Sequence, residues 1–166
     1  MRLTEILPLE KWLELEKKIC DKSGLDSNVF DTNGYRITDH KQWVNRLCPV
    51  VKDSDKGQSF ICAVAHMNIA AMAMNTREPV IEECDAGLVK LVVPIFHDDD
   101  FVGAVGACGL LLDDGEVDTF MVNKTIGLGE SEIEALSSDI PNVTTEKLEE
   151  LADYIKRKID ELISGR

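Results

Sequence analysis

Two apolar runs joined by a short acidic turn constrain the fold more than any other feature of this chain. The first run extends from Leu88 to Phe96 and is rich in valine, and the second extends from Phe101 to Leu112. The polar residues 97–100 between them are typical of a turn. Together with a shorter apolar segment at residues 80–84, these runs predict an antiparallel meander of three strands.

Three glycines, Gly103, Gly106 and Gly109, lie within the last of these strands. Glycine weakens a strand, so three of them indicate either a bulge or a backbone that must come close to another group. Close packing of a helix on the sheet is the alternative explanation. Earlier in the chain, Val29 to Ile37 predicts a hairpin around Asn33-Gly34, the strongest short hairpin signal.

Several other segments have the three- and four-residue apolar spacing of helices. They are residues 9–20, 43–48, 60–75 and 148–162. Pro49 is expected to end the second of them, and the polar residues 51–59 are expected to form a loop. Residues 60–75 are apolar nearly all round, which predicts a buried central helix. The last segment, behind a Thr144 cap, is the cleanest amphipathic helix of the chain.

Length and charge narrow the class of protein. A chain of 166 residues can form a single core, and its 44% hydrophobic content is that of a globular protein. The net charge of -13, without a basic face, excludes nucleic acid as an expected direct partner. No secretion signal or bilayer-spanning run is expected, so we predict a cytoplasmic protein with no membrane partner. Its five cysteines should then be reduced.

Four of these cysteines lie on or beside elements that should meet in the core. They are Cys48, Cys62, Cys84 and Cys108. A core cysteine is usually a small hydrophobic residue, and no Cys-x-x-Cys pair is present to indicate a zinc or ferredoxin motif. Convergence in space would therefore be needed for these four thiols to bind a metal.

His66 follows Cys62 by four positions, which places both side chains on one face of a helix. This spacing permits shared metal ligation or a thiolate–imidazolium pair, although a hydrogen-bonded core histidine is the simpler interpretation. Further along, Cys84 and Asp85 precede Gly87 and Leu88, where glycine permits a tight turn at the mouth of a pocket. Enzyme signatures are otherwise scarce, because the glycines of residues 103–109 lack dinucleotide-loop spacing and no nucleophile elbow occurs.

Several of these segments together resemble the PocR-type ligand-binding sensor domain, a PAS-like module of bacterial and archaeal regulators. The resemblance rests on residues 31–34, Cys48, Cys62, residues 83–88 running into Val93-Pro94-Ile95, and residues 101–106. It implies an α/β (α+β) fold, with a PAS-like antiparallel sheet flanked by helices. We assign residues 1–114 to this sensor domain and residues 115–166 to a C-terminal helical extension, which either packs on it or mediates dimerisation.

The resemblance also implies signalling rather than catalysis. The predicted ligand-binding residues are Cys48, Cys62, His66, Cys84, Asp85, Gly87, Leu88 and Cys108. Members of the family often have His at the position of Asp85 and Gln near that of Cys108. A fourth thiol makes a metal or iron–sulfur centre held by Cys48, Cys62, Cys84 and Cys108 a competing hypothesis to a small organic ligand.

Two further hypotheses follow from the residues themselves. One is a thiol-based redox protein or enzyme that uses Cys62 with His66, which requires an exposed thiol of lowered pKa. The other is a structural adaptor that acts through the apolar face of Leu148 to Leu162. A homodimer and a downstream signalling protein are the expected macromolecular partners.

Overall fold

The computed structural model describes residues 1–165, and it confirms the predicted mixed α and β class. A four-stranded antiparallel sheet has the strand order β1-β4-β3-β2. Its strands are β1 (Asp26–Phe30), β2 (Val80–Glu83), β3 (Val89–His97) and β4 (Asp100–Cys108). The meander predicted from the two long apolar runs therefore forms the centre and one side of this sheet.

Helices precede, interrupt and follow the strands. They are α1 (Leu3–Ile6), α2 (Leu9–Ser23), α3 (Leu47–Asp53), α4 (Asp55–Gly57), a π-helical turn (Gln58–Ala63), α5 (Val64–Thr76), α6 (Thr119–Ile126), α7 (Glu130–Ser137) and α8 (Thr145–Ser164). The helix α2 ends at Gly24, which adopts a left-handed conformation with φ of 72°. Thr144 caps α8 as predicted, since its hydroxyl accepts the Lys147 N–H.

The two faces of the sheet pack on different cores. On one face, Val29, Leu91 and Val105 belong to the largest cluster of buried apolar side chains, which also holds residues of α2 and α8. On the other face, Val92 and Ala104 pack against α5. A further cluster lies below the end of the sheet and joins residues of α3, the π-helical turn, α6 and α7.

The predicted helix at residues 43–48 and the loop at residues 51–59 were both wrong. The helix α3 instead begins at Leu47, and the chain stays helical through most of the predicted loop. Pro49 falls in the first turn of α3, where its missing N–H would have no partner within the helix. Proline therefore belongs to the start of this helix and does not end it.

The predicted hairpin at Val29 to Ile37 forms only in part. Residues after β1 make a single antiparallel bridge, between Phe30 and Arg36. The Asp31 carboxylate accepts the N–H groups of Asn33 and Tyr35, both at 2.9 Å, and so forms a side-chain turn. Two backbone bonds accompany it, from the Asp31 N–H to the Tyr35 carbonyl and from the Ile37 N–H to the Val29 carbonyl. Residues 31–46 consequently form a long connection without regular strands.

The Gly-rich strand is shorter than predicted. It ends at Cys108, and Gly109 then turns the chain with φ of 105°. The following residues, Leu111–Leu112, pair in parallel with Asn142–Val143 as a separate two-stranded sheet. The prediction of one strand from Phe101 to Leu112 failed because a left-handed glycine separates two strands of similar composition.

Residues 60–75 were predicted to form a buried central helix, and this was wrong for one side of the helical run Asp55–Thr76 to which they belong. Ile61, Ile69 and Ala73 are buried, whereas Phe60 and Met67 are each 61% exposed. The run therefore carries an apolar stripe on its outer side. By length and composition alone it could also cross a membrane, and only 28% of its most apolar part is buried. One such helix is weak evidence for a membrane span, and the expectation of no membrane partner stays a prediction.

Residues 115–165 pack on the rest of the chain. The helix α8 contacts β3 and α2, and its residues Leu148, Ile155 and Ile159 are buried in the main core. The apolar face that an adaptor would use is therefore covered by the chain's own sheet and helix.

Candidate functional site

A cavity of about 120 Å³ lies between the end of the sheet and the helices that follow the long connection. The strands β1, β3 and β4 form its floor, α3 and the Asp55–Thr76 run form its wall, and residues 43–44 cover it. Its lining residues are Asp26, Phe30, Gly34, Trp43, Val44, Cys48, Lys52, Gln58, Cys62, Ala63, Ala65, His66, Cys84, Leu88, Val89, Lys90, Cys108 and Gly109. The size suits a ligand of roughly benzene dimensions, because a cavity of about 150 Å³ accepts benzene.

All four cysteines singled out in the sequence line this cavity. They come from four separate segments: Cys48 from α3, Cys62 from the π-helical turn, Cys84 from the end of β2, and Cys108 from the end of β4. Cys20 is buried elsewhere, where its sulfur accepts the Ser27 N–H. The thiols that the cavity brings together are therefore those predicted, and the fifth cysteine has a separate place in the fold.

Burial raises the pKa of three of these thiols, those of Cys48, Cys62 and Cys84. It raises the pKa of Cys48 to about 12, with the neighbouring Cys108 thiol adding to the effect. Burial also raises the pKa of Cys62 to about 11, although Lys52 works in the opposite direction. The pKa of Cys84 is raised for the same reason. A thiol enzyme needs a lowered pKa, so this arrangement disfavours the redox alternative.

Asn45 fixes the start of α3 against the end of β4. Its side-chain oxygen accepts the Cys48 N–H at 2.7 Å, and its amide nitrogen donates to the Gly109 carbonyl at 2.7 Å. The same nitrogen lies 3.2 Å from the Cys48 sulfur. One amide therefore orients Cys48 and holds it near Cys108. Asparagine is a common capping residue at helix starts, but this helix was predicted to begin at residue 43, and so the role of Asn45 was missed.

His66 lies on the inner face of α5 and is 4% exposed. Its ring stacks on Phe30 with the ring centroids 3.7 Å apart. Burial, together with the positive charges of Lys90 and Lys52, lowers the pKa of His66 to about 3. The imidazole is therefore neutral near pH 7, and its Nδ1 atom is buried without a hydrogen-bond partner. No hydrogen bond joins His66 to Cys62 in the described part of the chain.

Asp26 supplies the cavity's one carboxyl group and is 5% exposed. Burial raises its pKa, and the positive charges of Lys52 and Arg36 partly offset that effect. Its Oδ1 atom is buried and accepts no hydrogen bond within residues 1–165. A buried acceptor without a partner carries a substantial desolvation cost, which a hydrogen-bond donor in the cavity would relieve.

Two lysines line the same cavity. Lys90 stands on the central strand β3, is 7% exposed, and has its Nζ atom 5.4 Å from the centre of the Phe30 ring. Lys52 lies on α3, with its Nζ atom 5.4 Å from the centre of the Trp43 ring. Within the described residues neither lysine forms a salt bridge. Lysine is seldom buried without such a partner.

The sheet register explains how these charges meet Cys108. On β4, Cys108 is the cross-strand partner of Asp26 on one side and of Lys90 on the other. Laterally paired residues share a face of the sheet, so the three side chains form one row across the floor of the cavity. The row places an acid, a thiol and an ammonium group side by side.

The remaining predicted site residues are divided between the cavity and its surroundings. Leu88 lines the cavity, whereas Asp85 is exposed and does not. Gly87 makes the tight turn that was expected, with φ of 86°, but it faces residues 116–118. A Cβ atom on Gly87 would lie 2.4 Å from the Glu116 carbonyl oxygen. This glycine therefore permits close packing behind the cavity.

A buried acid anchors the connection that covers the cavity. Glu16 of α2 is fully buried, accepts the Val29 N–H at 2.8 Å, and pairs with Arg36 at 3.2 Å. The Thr38 hydroxyl also donates to Glu16, and Arg36 in turn donates to the His40 carbonyl. These bonds tie residues 36–40 to the core just before Trp43 and Val44.

The predicted metal site has weaker geometric support than the cavity itself. Across residues 1–165 no group of three or more His, Cys, Asp or Glu side chains is arranged to hold a metal ion. The metal or iron–sulfur centre stays a prediction from the sequence. The residues that the sequence analysis missed are the charged ones, Asp26, Lys52 and Lys90. Lys90 had a visible signal, because it is a lone charge inside an otherwise apolar strand.

Comparison with known proteins agrees with the resemblance seen in the sequence. A family model described as the sensory domain found in PocR matches residues 5–165. No curated protein and no solved structure gives a significant match. The family match includes the segment predicted as an extension, and it covers nearly the whole chain. The chain therefore belongs to the family of PocR sensory domains, and its role is sensory.

Proposed function

We propose that this sensory domain detects a small organic molecule bound in the cavity that the four cysteines line. The observation that carries the proposal is the combination of a cavity with three polar side chains buried against it, Asp26, His66 and Lys90. Binding pockets are mostly apolar and contain a few polar groups that orient the ligand. The family membership supports a sensory role, and the cavity supplies a place for the signal to bind.

The composition of the wall supports an organic ligand. Phe30, Trp43 and Leu88 give apolar contact, and the cysteine side chains are small, weakly polar groups that pack well against carbon. The unpartnered Asp26 Oδ1 and His66 Nδ1 atoms would each gain a hydrogen bond from a ligand. A ligand that met these groups would stabilise the folded domain in proportion to its concentration above Kd.

The cover of the cavity offers a route from binding to signalling. Trp43 and Val44 belong to the long connection and line the cavity, while Glu16 anchors the same connection to α2. A π-helical turn, a rare element often found at functional sites, contributes Gln58, Cys62 and Ala63 to the wall. Movement of these elements on binding would change the outer surface of the Asp55–Thr76 run.

A matched pair of substitutions tests the proposal. Ala63→Leu would reduce the cavity volume, whereas Ala135→Leu makes the same change at an exposed position of α7 outside the cavity. A panel of organic fragments with about six non-hydrogen atoms or fewer should include compounds that raise the Tm of the wild type and Ala135→Leu but not of Ala63→Leu. Equal stabilisation of both variants, or no stabilising fragment at all, would contradict the proposal.

The metal hypothesis has its own test. Protein prepared without oxygen should be colourless and should contain no stoichiometric metal if the ligand is organic. An absorption spectrum typical of an iron–sulfur cluster, lost on replacing Cys48 and Cys108 with serine, would favour the metal centre instead.

A further inference from the structure

We propose that the ligand is a small organic anion whose carboxylate binds between Lys52 and Lys90 and whose hydroxyl group donates to Asp26. This inference rests on the proposed function and adds the chemical class of the ligand. It comes from the charges that face the cavity and from the hydrogen-bonding capacity that these groups leave unused.

The first argument is the charge of the cavity. Its lining contains two lysines and one aspartate, so its formal charge is positive in a chain whose net charge is -13. Arg36 also lies near Asp26, but its guanidinium group is already bound to Glu16 and to the His40 carbonyl. The Asp26 carboxylate offsets one of the two ammonium charges, and an anionic ligand would supply the second negative charge.

The second argument is that the charges of both ammonium groups affect the same two cavity residues, His66 and Cys62. Both Lys52 and Lys90 shift the protonation of His66, and both favour the thiolate form of Cys62. Each ammonium also lies over the face of an aromatic ring, Phe30 for Lys90 and Trp43 for Lys52. Ring faces attract a cation without neutralising its charge, so both remain available to an anion.

The third argument concerns the hydroxyl group. The Asp26 Oδ1 atom is a buried acceptor without a donor, and Asp26 shares a row with Lys90 across Cys108. A carboxylate without a hydroxyl group would leave this acceptor unpaired. A ligand with a hydroxyl next to its carboxylate would donate a hydrogen bond to Asp26 and pair its negative charge with Lys90. The cavity of about 120 Å³ limits such a ligand to roughly six non-hydrogen atoms.

Lactate and lactamide test this assignment, because they have the same shape and differ in charge. At about 100 times its Kd, lactate should raise the Tm of the wild type by about 5 °C, while lactamide at the same concentration should have little effect. Propionate, which lacks the hydroxyl, should bind more weakly than lactate. Sodium chloride at equal ionic strength corrects for the effect of salt.

Three lysine variants locate the charge effect. Lys90→Met and Lys52→Met keep most of the side-chain volume and should each weaken lactate binding about tenfold or more. Lys56→Met removes an exposed lysine outside the cavity and should leave binding unchanged. Equal effects of lactate and lactamide, or unchanged lactate binding in Lys90→Met, would overturn the inference.

The outcomes separate this inference from the proposed function. Stabilisation by neutral fragments that is lost in Ala63→Leu, with no preference for carboxylates, would refute an anionic ligand and keep the binding cavity. Failure of every fragment, charged or neutral, would refute both.

Discussion

The imidazole of His66 stacks on the phenyl ring of Phe30, with their centroids 3.7 Å apart, at the point where the sheet and α5 enclose the cavity. This contact holds a neutral histidine among two lysines and four thiols. It also makes the stability of the domain sensitive to pH in a direction that the structure fixes.

The first prediction is a loss of stability below neutral pH that depends on His66. Burial lowers its pKa to about 3, so between about pH 6.5 and pH 3 the unfolded chain binds a proton that the folded domain excludes. The free energy of unfolding should therefore fall as the pH is lowered through this window, with the His66 contribution decreasing by about 2 kcal/mol between pH 7 and pH 5. Urea unfolding at the two pH values measures this change.

The control for this prediction is His66→Phe, which keeps a ring against Phe30 and cannot titrate. The decrease in stability from pH 7 to pH 5 should be smaller in this variant by about 2 kcal/mol. Asp26, whose pKa is raised, contributes in the opposite direction in both proteins and cancels in the comparison. Equal pH dependence of wild type and variant would contradict the account of His66.

A second prediction concerns the reactivity of the thiols. With a pKa of about 11, Cys62 should have about 10²-fold less thiolate at pH 8 than a free cysteine, and Cys48, at about 12, should have less still. Alkylation by iodoacetamide, followed by peptide mass spectrometry, should be slow at both residues in the folded protein and fast in urea. Rapid modification of Cys62 in the folded state would revive the thiol-enzyme hypothesis.

A third prediction tests the anchor of the connection over the cavity. Glu16→Gln should destabilise the domain by about 3 kcal/mol, because it leaves Arg36 without its buried partner. The matched control is Glu14→Gln on the same helix, which breaks an exposed pair with Lys11 and should change little. Chemical denaturation of both variants measures the difference. Similar stabilities for the two would show that the buried Glu16 network adds no more to the free energy of unfolding than an exposed ion pair does.

A fourth prediction compares alanine substitutions at two glycines, one with backbone atoms close to the position of a Cβ and one with free space there. Gly87 and Gly127 both have positive φ, at 86° and 75°, but only Gly87 has a backbone atom where a Cβ would lie. Gly127→Ala should cost about 1 kcal/mol from backbone strain alone. Gly87→Ala should cost at least about 1 kcal/mol more, since the Glu116 segment must move. If thermal denaturation shows equal losses of stability for the two variants, the Glu116 segment moves aside at no cost.

The spacing of apolar residues, together with the turn and capping residues between segments, was enough to predict most of the sheet and the long helices. The apolar runs at residues 88–96 and 101–112 predicted β3 and β4, although the second run was predicted too long, and the apolar spacing behind Thr144 predicted α8. Cys84 was predicted at a strand end, whereas Cys108 was predicted inside a strand that in fact ends there. Pairing in space between Cys48 and these strands depended on Asn45, whose role as a cap is visible only once the start of α3 is known.

The polar chemistry of the cavity was harder to predict for a physical reason. A lysine or aspartate in a sequence is most often solvated, and only the fold shows that Asp26 and Lys90 share a row beside Cys108. The long connection of residues 31–46 also has no periodicity, because Glu16 and Asp31 hold it through side-chain bonds. The outer apolar stripe of the Asp55–Thr76 run was missed because the sequence of a helix that is apolar on all sides does not show which side is covered by the rest of the fold.

The measurement that tests the central claim most directly uses the two tryptophans of the chain. Trp43 lines the cavity, whereas Trp12 is buried in the main core and donates its indole N–H to the Leu3 carbonyl. In ¹H–¹⁵N spectra recorded during titration with lactate and with the neutral fragments, the indole resonance of Trp43 should shift saturably with a binding compound while that of Trp12 stays in place. If stabilising compounds shift Trp12 and leave Trp43 unmoved, the cavity is not the sensing site.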